Sequence, residues 1–124
     1  PLAMAAGLAQ LQQLTPAAYD QLTATAATLQ AGMIAAFADA GVVASVPRVG
    51  PLLGLFFGDT LPTDFDSAKA VCENGVYERF FHGMLEQGVA LAPGAYEALF
   101  PSLAHGSEQI EATIEAVRHV AKNL

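Results

Sequence analysis

The sequence predicts an α+β fold: a small antiparallel sheet of about three strands with helices on one face, preceded by two N-terminal helices. Apolar residues recur at three- and four-residue steps in two long segments, which begin near Thr15 and Ser107. Two short apolar runs, 42–49 and 52–57, flank the turn pair Gly50-Pro51, as in an antiparallel hairpin. A third apolar run, 89–92, supplies the remaining strand.

Two helices are predicted before the hairpin. Residues 1–14 form the first, whose small Ala and Gly side chains favour close packing against a neighbour, either in a bundle or as the tail of an upstream domain. The second begins at Thr15-Pro16, because Thr is a preferred N-cap and Pro suits the first helical position. Gly41 ends it. Its apolar face consists of Tyr19, Leu22, Ala26, Leu29, Met33 and Phe37.

Helical segments dominate the rest of the chain. Residues 58–66 are predicted as a solvated loop, because the spacing of their three aspartates does not match a twelve-residue calcium loop. Residues 67–72 form a short helical turn, and a helix over 74–87 ends at Gly88. The last helix covers 107–122, with acidic residues in its first half and basic residues in its second, as the helix dipole favours. The core-facing residues of these two helices are Val76, Phe80, Phe81, Met84, Leu85, Ile110, Ile114, Val117 and Ala121.

Composition excludes several classes of function. The 124 residues carry a net charge of −7 with only five scattered basic residues, so no basic stripe is available for nucleic acid. No apolar run reaches the roughly 18 residues of a membrane span. A single cysteine excludes an internal disulfide and predicts a reducing, cytoplasmic setting. Because 53% of residues are hydrophobic and 14% charged, we expect the chain to be part of a larger protein that covers some of this apolar surface.

The sequence contains no self-contained active site. Phosphate-binding, nucleophile-elbow and zinc-binding motifs are absent, and His82, His105 and His119 are not spaced as metal ligands. Neither lysine, Lys69 nor Lys122, lies in a segment dry enough to lower an amine pKa. Cys72 paired with a histidine stays open as an alternative nucleophile.

One carboxylate is placed unusually. Glu97 is the only residue between Gly88 and Ala104 that is charged at neutral pH, in a segment rich in aromatic and aliphatic residues. Such a group either accepts structural hydrogen bonds within a turn or is directed into a site. The residues alone leave both interpretations open.

Motifs along the whole chain resemble one family. They are Pro-Leu-Ala-Met-Ala-Ala-Gly-Leu at 1–8, Gly-Leu-Phe-Phe at 54–57, Arg-Phe-Phe-His-Gly-Met-Leu-Glu-Gln-Gly-Val at 79–89, and Leu-Ala-Pro, Tyr-Glu-Ala and Ser-Leu-Ala-His between 91 and 105. This order is similar to the C-terminal part of glutamate-1-semialdehyde 2,1-aminomutase, within the class III, fold-type I pyridoxal-phosphate aminotransferases. Two departures are Pro51-Leu52-Leu53, before the second strand, and Leu99, where the family commonly has Gly.

The resemblance implies a function for the parent enzyme, not for this segment alone. The parent converts glutamate-1-semialdehyde to 5-aminolevulinate for tetrapyrrole (porphyrin) synthesis, with pyridoxal phosphate bound to a lysine of an upstream large domain. Residues 1–14 would be the tail of that domain and residues 15–124 the C-terminal small domain. The fragment is expected to bind no cofactor and to be inactive alone. The full enzyme is expected to be a cytoplasmic homodimer acting on a small-molecule substrate, without nucleic acid, membrane or metal.

Site residues follow from the same resemblance. Glu97 matches the family glutamate that reaches towards cofactor and substrate, whereas His105 is expected to be structural and to cap the last helix. No catalytic or cofactor-binding residue is expected in this segment. Two alternatives remain: the small domain of another class III aminotransferase, and a stand-alone α+β binding or dimerisation module, which the apolar, weakly charged surface would also suit.

Overall fold

A computed structural model describes residues 1–124 and contains five helices and one hairpin. The helices are α1 (Leu2–Leu11), α2 (Pro16–Asp39), α3 (Phe65–Cys72), α4 (Val76–Glu86) and α5 (Ser107–Ala121). The strands β1 (Arg48–Val49) and β2 (Leu52–Leu53) form the hairpin. No helix combines the length and apolar character needed to cross a membrane. The predicted α+β class is confirmed.

The ends of α2 agree with the sequence signals. The Thr15 hydroxyl accepts a hydrogen bond from the Ala18 amide at 3.2 Å, and Pro16 occupies the first helical position. At the other end Gly41 has a φ of +72°, and the Val42 amide donates to the Phe37 carbonyl at 2.9 Å. That left-handed turn terminates the helix and satisfies a carbonyl that would otherwise lack a partner.

The core lies between α2, α4, α5 and the hairpin. α2 packs along α5, α4 packs on α5, and both strands contact α2. Three phenylalanines meet at its centre: the rings of Phe37 and Phe57 are 5.4 Å apart and those of Phe57 and Phe80 5.3 Å apart, in edge-on geometry. Tyr77 belongs to this core although it is not among the predicted core-facing residues. Leu85 is among them, but it is half exposed.

The third strand predicted at 89–92 is not formed. The Val89 amide donates to the Met84 carbonyl at 2.9 Å, in a turn made possible by the positive φ of Gly88. The Val89 amide is therefore bonded to the end of the helix and is not available to pair with a neighbouring strand. Instead Leu99 pairs with Leu53, through an isolated antiparallel bridge with two hydrogen bonds of 2.8 and 3.1 Å. The sheet has two strands rather than three.

The first helix stands apart from the core. No residue of α1 is buried, and Leu2, Met4, Leu8 and Leu11 are all largely exposed. The helix is shorter than the predicted 1–14, since it ends at Leu11 and a turn leads to Thr15. Its apolar side chains have no partner within this chain.

Candidate functional site

The candidate site is the segment 92–99, which carries Glu97. It follows α4 and begins at Ala92, whose carbonyl accepts a hydrogen bond from the buried Tyr77 hydroxyl at 2.6 Å. It ends at Leu99, which is fixed to β2 through Leu53. Between these points the Glu97 amide donates to the Gly94 carbonyl at 3.0 Å and closes a tight turn. The segment is thus anchored at both ends while its middle faces solvent.

The Glu97 carboxylate is exposed and has no hydrogen bond and no ion pair. The residue is therefore not buried, although its segment is rich in aromatic and aliphatic residues. The alternative in which Glu97 accepts backbone hydrogen bonds within its turn is not seen either, because its carboxylate accepts none. The Glu97 carboxylate is therefore free to bind a group from outside this chain.

Glu97 lies on one wall of a shallow groove of about 180 Å³ between the turn and the hairpin. Arg48 lines the same groove, but its guanidinium donates to Gln30 Oε1 at 3.0 Å and to the Gly50 carbonyl at 2.7 Å. These contacts fasten the hairpin to α2, since Gln30 in turn donates to the Val46 carbonyl. Arg48 and Glu97 form no ion pair. The groove therefore presents a carboxylate that no cation of this chain neutralises.

Tyr96, next to Glu97 in sequence, lines the same groove and contacts a second aromatic residue. The ring of Tyr96 stacks on that of Phe65, with centroids 6.1 Å apart and an interplanar angle of 19°, and both rings are more than half exposed.

Burial raises the pKa of Tyr77, and the nearby charges of Glu97 and then Cys72 raise it further. The Tyr77 phenol therefore stays protonated at neutral pH and donates its hydrogen bond.

The remaining candidates are not brought together. The Cys72 thiol has its pKa raised by burial, the opposite of what an activated nucleophile needs. Lys69 pairs with Glu73 at 3.7 Å on the exposed surface of α3. Lys122 lies exposed after α5. No group of three or more His, Cys, Asp or Glu side chains could hold a metal ion.

The expected role of His105 as a helix cap is wrong. Gly106 is the N-cap of α5, and its amide donates to Gln109 Oε1 at 3.0 Å. His105 instead closes the preceding turn, where its Nδ1 accepts from the Ser102 amide at 2.9 Å and lies 2.9 Å from Ser102 Oγ. The residue is structural, but in the turn rather than in the helix.

Sequence reasoning overlooked Tyr77. The detectable signal was its position three residues before Phe80, where it lies on the same face of α4. A tyrosine in such a stripe buries its ring and needs a partner for its hydroxyl.

Leu99 does not disturb the site. Its backbone φ is negative, and the backbone pairing with Leu53 makes no use of its side chain, which packs against the core. The departure from the family pattern is therefore compatible with this turn.

Comparisons with known proteins cover the whole chain. No family model matches. The glutamate-1-semialdehyde 2,1-aminomutase 2 of Shouchella clausii is 42% identical over 120 residues, which are 97% of this chain and 28% of that protein. The glutamate-1-semialdehyde 2,1-aminomutase of Laribacter hongkongensis is 45% identical over 119 residues, which are 95% of this chain and 28% of that protein. The chain thus spans little more than a quarter of the curated relatives that it matches.

Solved structures share the fold. An omega-transaminase from Sphaerobacter thermophilus superposes with a TM-score of 0.81 at 22% identity, covering 98% of this chain and 28% of that one. A glutamate-1-semialdehyde aminomutase from Pseudomonas aeruginosa, solved in complex with PMP, superposes with a TM-score of 0.76 at 25% identity. It covers 86% of this chain and 23% of that one. The predicted resemblance is confirmed.

Proposed function

We propose that this chain is the C-terminal part of a glutamate-1-semialdehyde 2,1-aminomutase, which converts glutamate-1-semialdehyde to 5-aminolevulinate for tetrapyrrole synthesis. The observation that carries the proposal is sequence identity of 42–45% to such aminomutases over at least 95% of the chain. Residues 1–14 belong to the end of the large domain and residues 15–124 form the small domain. The exposed apolar surface of α1 supports this division.

Pyridoxal phosphate is the proposed cofactor of the whole enzyme. Structural neighbours include a transaminase with PLP bound. The two lysines of this chain are exposed and its sequence has no phosphate-binding motif, which supports a cofactor site in another part of the enzyme. The large domain therefore holds the cofactor, and this chain is inactive alone.

The role of this chain is to present Glu97 to the reacting groups. An unpaired carboxylate attracts an ammonium group and accepts hydrogen bonds from an amine, and it does so more strongly when a second domain excludes water from the groove. Glu97 would thereby orient the amino groups of substrate and cofactor. Its lack of any partner in this chain supports that role over a structural one.

Full-length enzyme tests the proposal. The product of the complete gene, loaded with pyridoxal phosphate, is expected to form 5-aminolevulinate from glutamate-1-semialdehyde without an external amino donor. The Glu97→Gln variant should turn over more slowly with an unchanged thermal unfolding midpoint. Glu86→Gln, an exposed carboxylate at the end of α4, serves as the matched control. Lower stability of Glu97→Gln with normal turnover would assign Glu97 a structural role instead.

Another class III aminotransferase is the second candidate, favoured by the superposition with transaminases at TM-scores of 0.77 and 0.81. It would require an external amino donor and would not form 5-aminolevulinate. A natural gene product of only 124 residues would instead favour the stand-alone module.

The whole enzyme is further proposed to be a cytoplasmic homodimer. The single cysteine, which cannot form an internal disulfide, supports the cytoplasmic setting. The exposed apolar side chains outside the core support an interface with a second subunit. Sedimentation of the full-length protein tests the dimer.

A further inference from the structure

Tyr77 connects the core to the segment that carries Glu97. Its side chain is only 5% exposed, and its ring packs against Phe80 at a centroid distance of 6.4 Å. From this fixed position the hydroxyl reaches the Ala92 carbonyl, fifteen residues later, at 2.6 Å. A rigid core residue is thus tied directly to the start of the turn.

No other hydrogen bond links residues 90–98 to the rest of the chain. The Glu97 amide bonds to Gly94 within the turn, and Pro93 has no amide hydrogen to donate. The next external backbone contact is the pairing of Leu99 with Leu53. Leu91 and Ala95 pack against the core without directional contacts, so the Tyr77 hydroxyl supplies the one hydrogen bond that fixes the direction of the segment between α4 and Leu99.

We propose that Tyr77 is a positioning residue whose hydroxyl holds Ala92, and through it the turn that aims the Glu97 carboxylate at the substrate. The inference rests on the proposed function. A phenylalanine at this position would fill the core equally well, so the hydroxyl serves the turn rather than the packing. The charge of Glu97 also acts on the Tyr77 phenol, as expected for neighbouring groups.

A double-mutant cycle in the full-length enzyme tests the proposal. Tyr77→Phe should lower kcat about fivefold with little change in KM, because one hydrogen bond contributes about 1 kcal/mol. In a Glu97→Gln background the same substitution should cost nothing further, since the group that it positions is already inactive. Tyr19→Phe is the control, because Tyr19 is half exposed and its hydroxyl makes no hydrogen bond.

Hydrogen exchange supplies a readout independent of the reaction. Peptides covering residues 97–99, in which the Glu97 and Leu99 amides are hydrogen-bonded, should exchange faster in Tyr77→Phe than in the wild type or in Tyr19→Phe, while peptides from α5 keep their protection. Unchanged exchange in this segment would overturn the positioning role. Additive losses in the cycle would overturn the link to Glu97. A wild-type enzyme that forms no 5-aminolevulinate would contradict the proposed function itself, and the exchange result would still report on positioning.

Discussion

Gly94 and Glu97 are so close that a methyl group built on Gly94 would lie 2.9 Å from Oε1 of Glu97 and 3.5 Å from its Cγ. The Glu97 side chain folds back over its own turn. That turn is closed by the hydrogen bond from the Glu97 amide to the Gly94 carbonyl. The φ of Gly94 is not in the left-handed region, so the backbone would accept another residue. Glycine is needed here for space beside the carboxylate.

Gly94→Ala should therefore displace the Glu97 carboxylate without unfolding the domain. The clashing atom is the end of a flexible side chain, so stability should change by no more than about 1 kcal/mol. Turnover by the full-length enzyme should fall, whereas Glu86→Gln, the exposed control at the end of α4, should leave it unchanged. Steady-state kinetics and thermal unfolding measure the two effects. Normal turnover in Gly94→Ala would mean that this contact does not set the carboxylate position.

Gly32→Ala should destabilise the core. A Cβ at Gly32 would overlap the side chain of Ile114, with Cγ1 at 2.6 Å, where α2 crosses α5. Overpacking costs about 1–3 kcal/mol and outweighs the gain of about 1 kcal/mol in helix propensity. Urea denaturation of the 124-residue chain should show the loss.

Ile114→Val supplies the control for this clash. Removing the terminal methyl of Ile114 should reduce the penalty of Gly32→Ala, so the two substitutions together should cost less than the sum of the single changes. A strictly additive result would show that the helices separate rather than repack.

The sequence predicted elements whose signals are local. Thr15-Pro16 and Gly41 marked the ends of α2, and Gly50-Pro51 marked the hairpin, because caps and turns depend on a few neighbouring residues. It could not show that Val89 completes the end of α4 or that Leu99 pairs with β2. Both outcomes depend on which backbone groups compete for the same partners in three dimensions.

The candidate site was predictable only in part. The motif drew attention to Glu97, but its exposure, its lack of partners and the anchor at Tyr77 come from long-range packing. His105 was assigned to the helix because it precedes Ser107 in sequence. Its ring turns back to Ser102 instead, since that turn offers an amide and a hydroxyl.

Acid should loosen α3 through its N-cap. Ser67 donates from both its hydroxyl and its amide to the Asp64 carboxylate, and these bonds hold the pKa of Asp64 below its ordinary value of 3.8. Because the folded-state pKa is lowered, the stabilisation is complete above 3.8 and is lost as the pH falls through the lower, folded-state value. Amide exchange of 64–69 measured against pH should follow this loss.

Asp64→Asn tests whether the charge of the N-cap causes the acid-dependent loosening of α3. Asparagine is also a good N-cap but does not titrate, so the variant should keep α3 formed without this acid-dependent loosening. Identical pH dependence in both proteins would place the titrating group elsewhere.

Deleting residues 1–13 should leave the core intact, as the division between 1–14 and 15–124 requires. No residue of α1 is buried, and the N-cap Thr15 remains, so α2 keeps its start. The urea unfolding free energy of the shortened chain should equal that of the 124-residue chain within about 0.5 kcal/mol, the range of changes outside the core. Met33→Ala, which empties a buried site, should by contrast cost about 2–5 kcal/mol. In the full-length enzyme the amides of α1 should be protected from exchange, because the proposed large domain covers its apolar side chains. A deletion that lowers stability as much as Met33→Ala would assign α1 to the small domain.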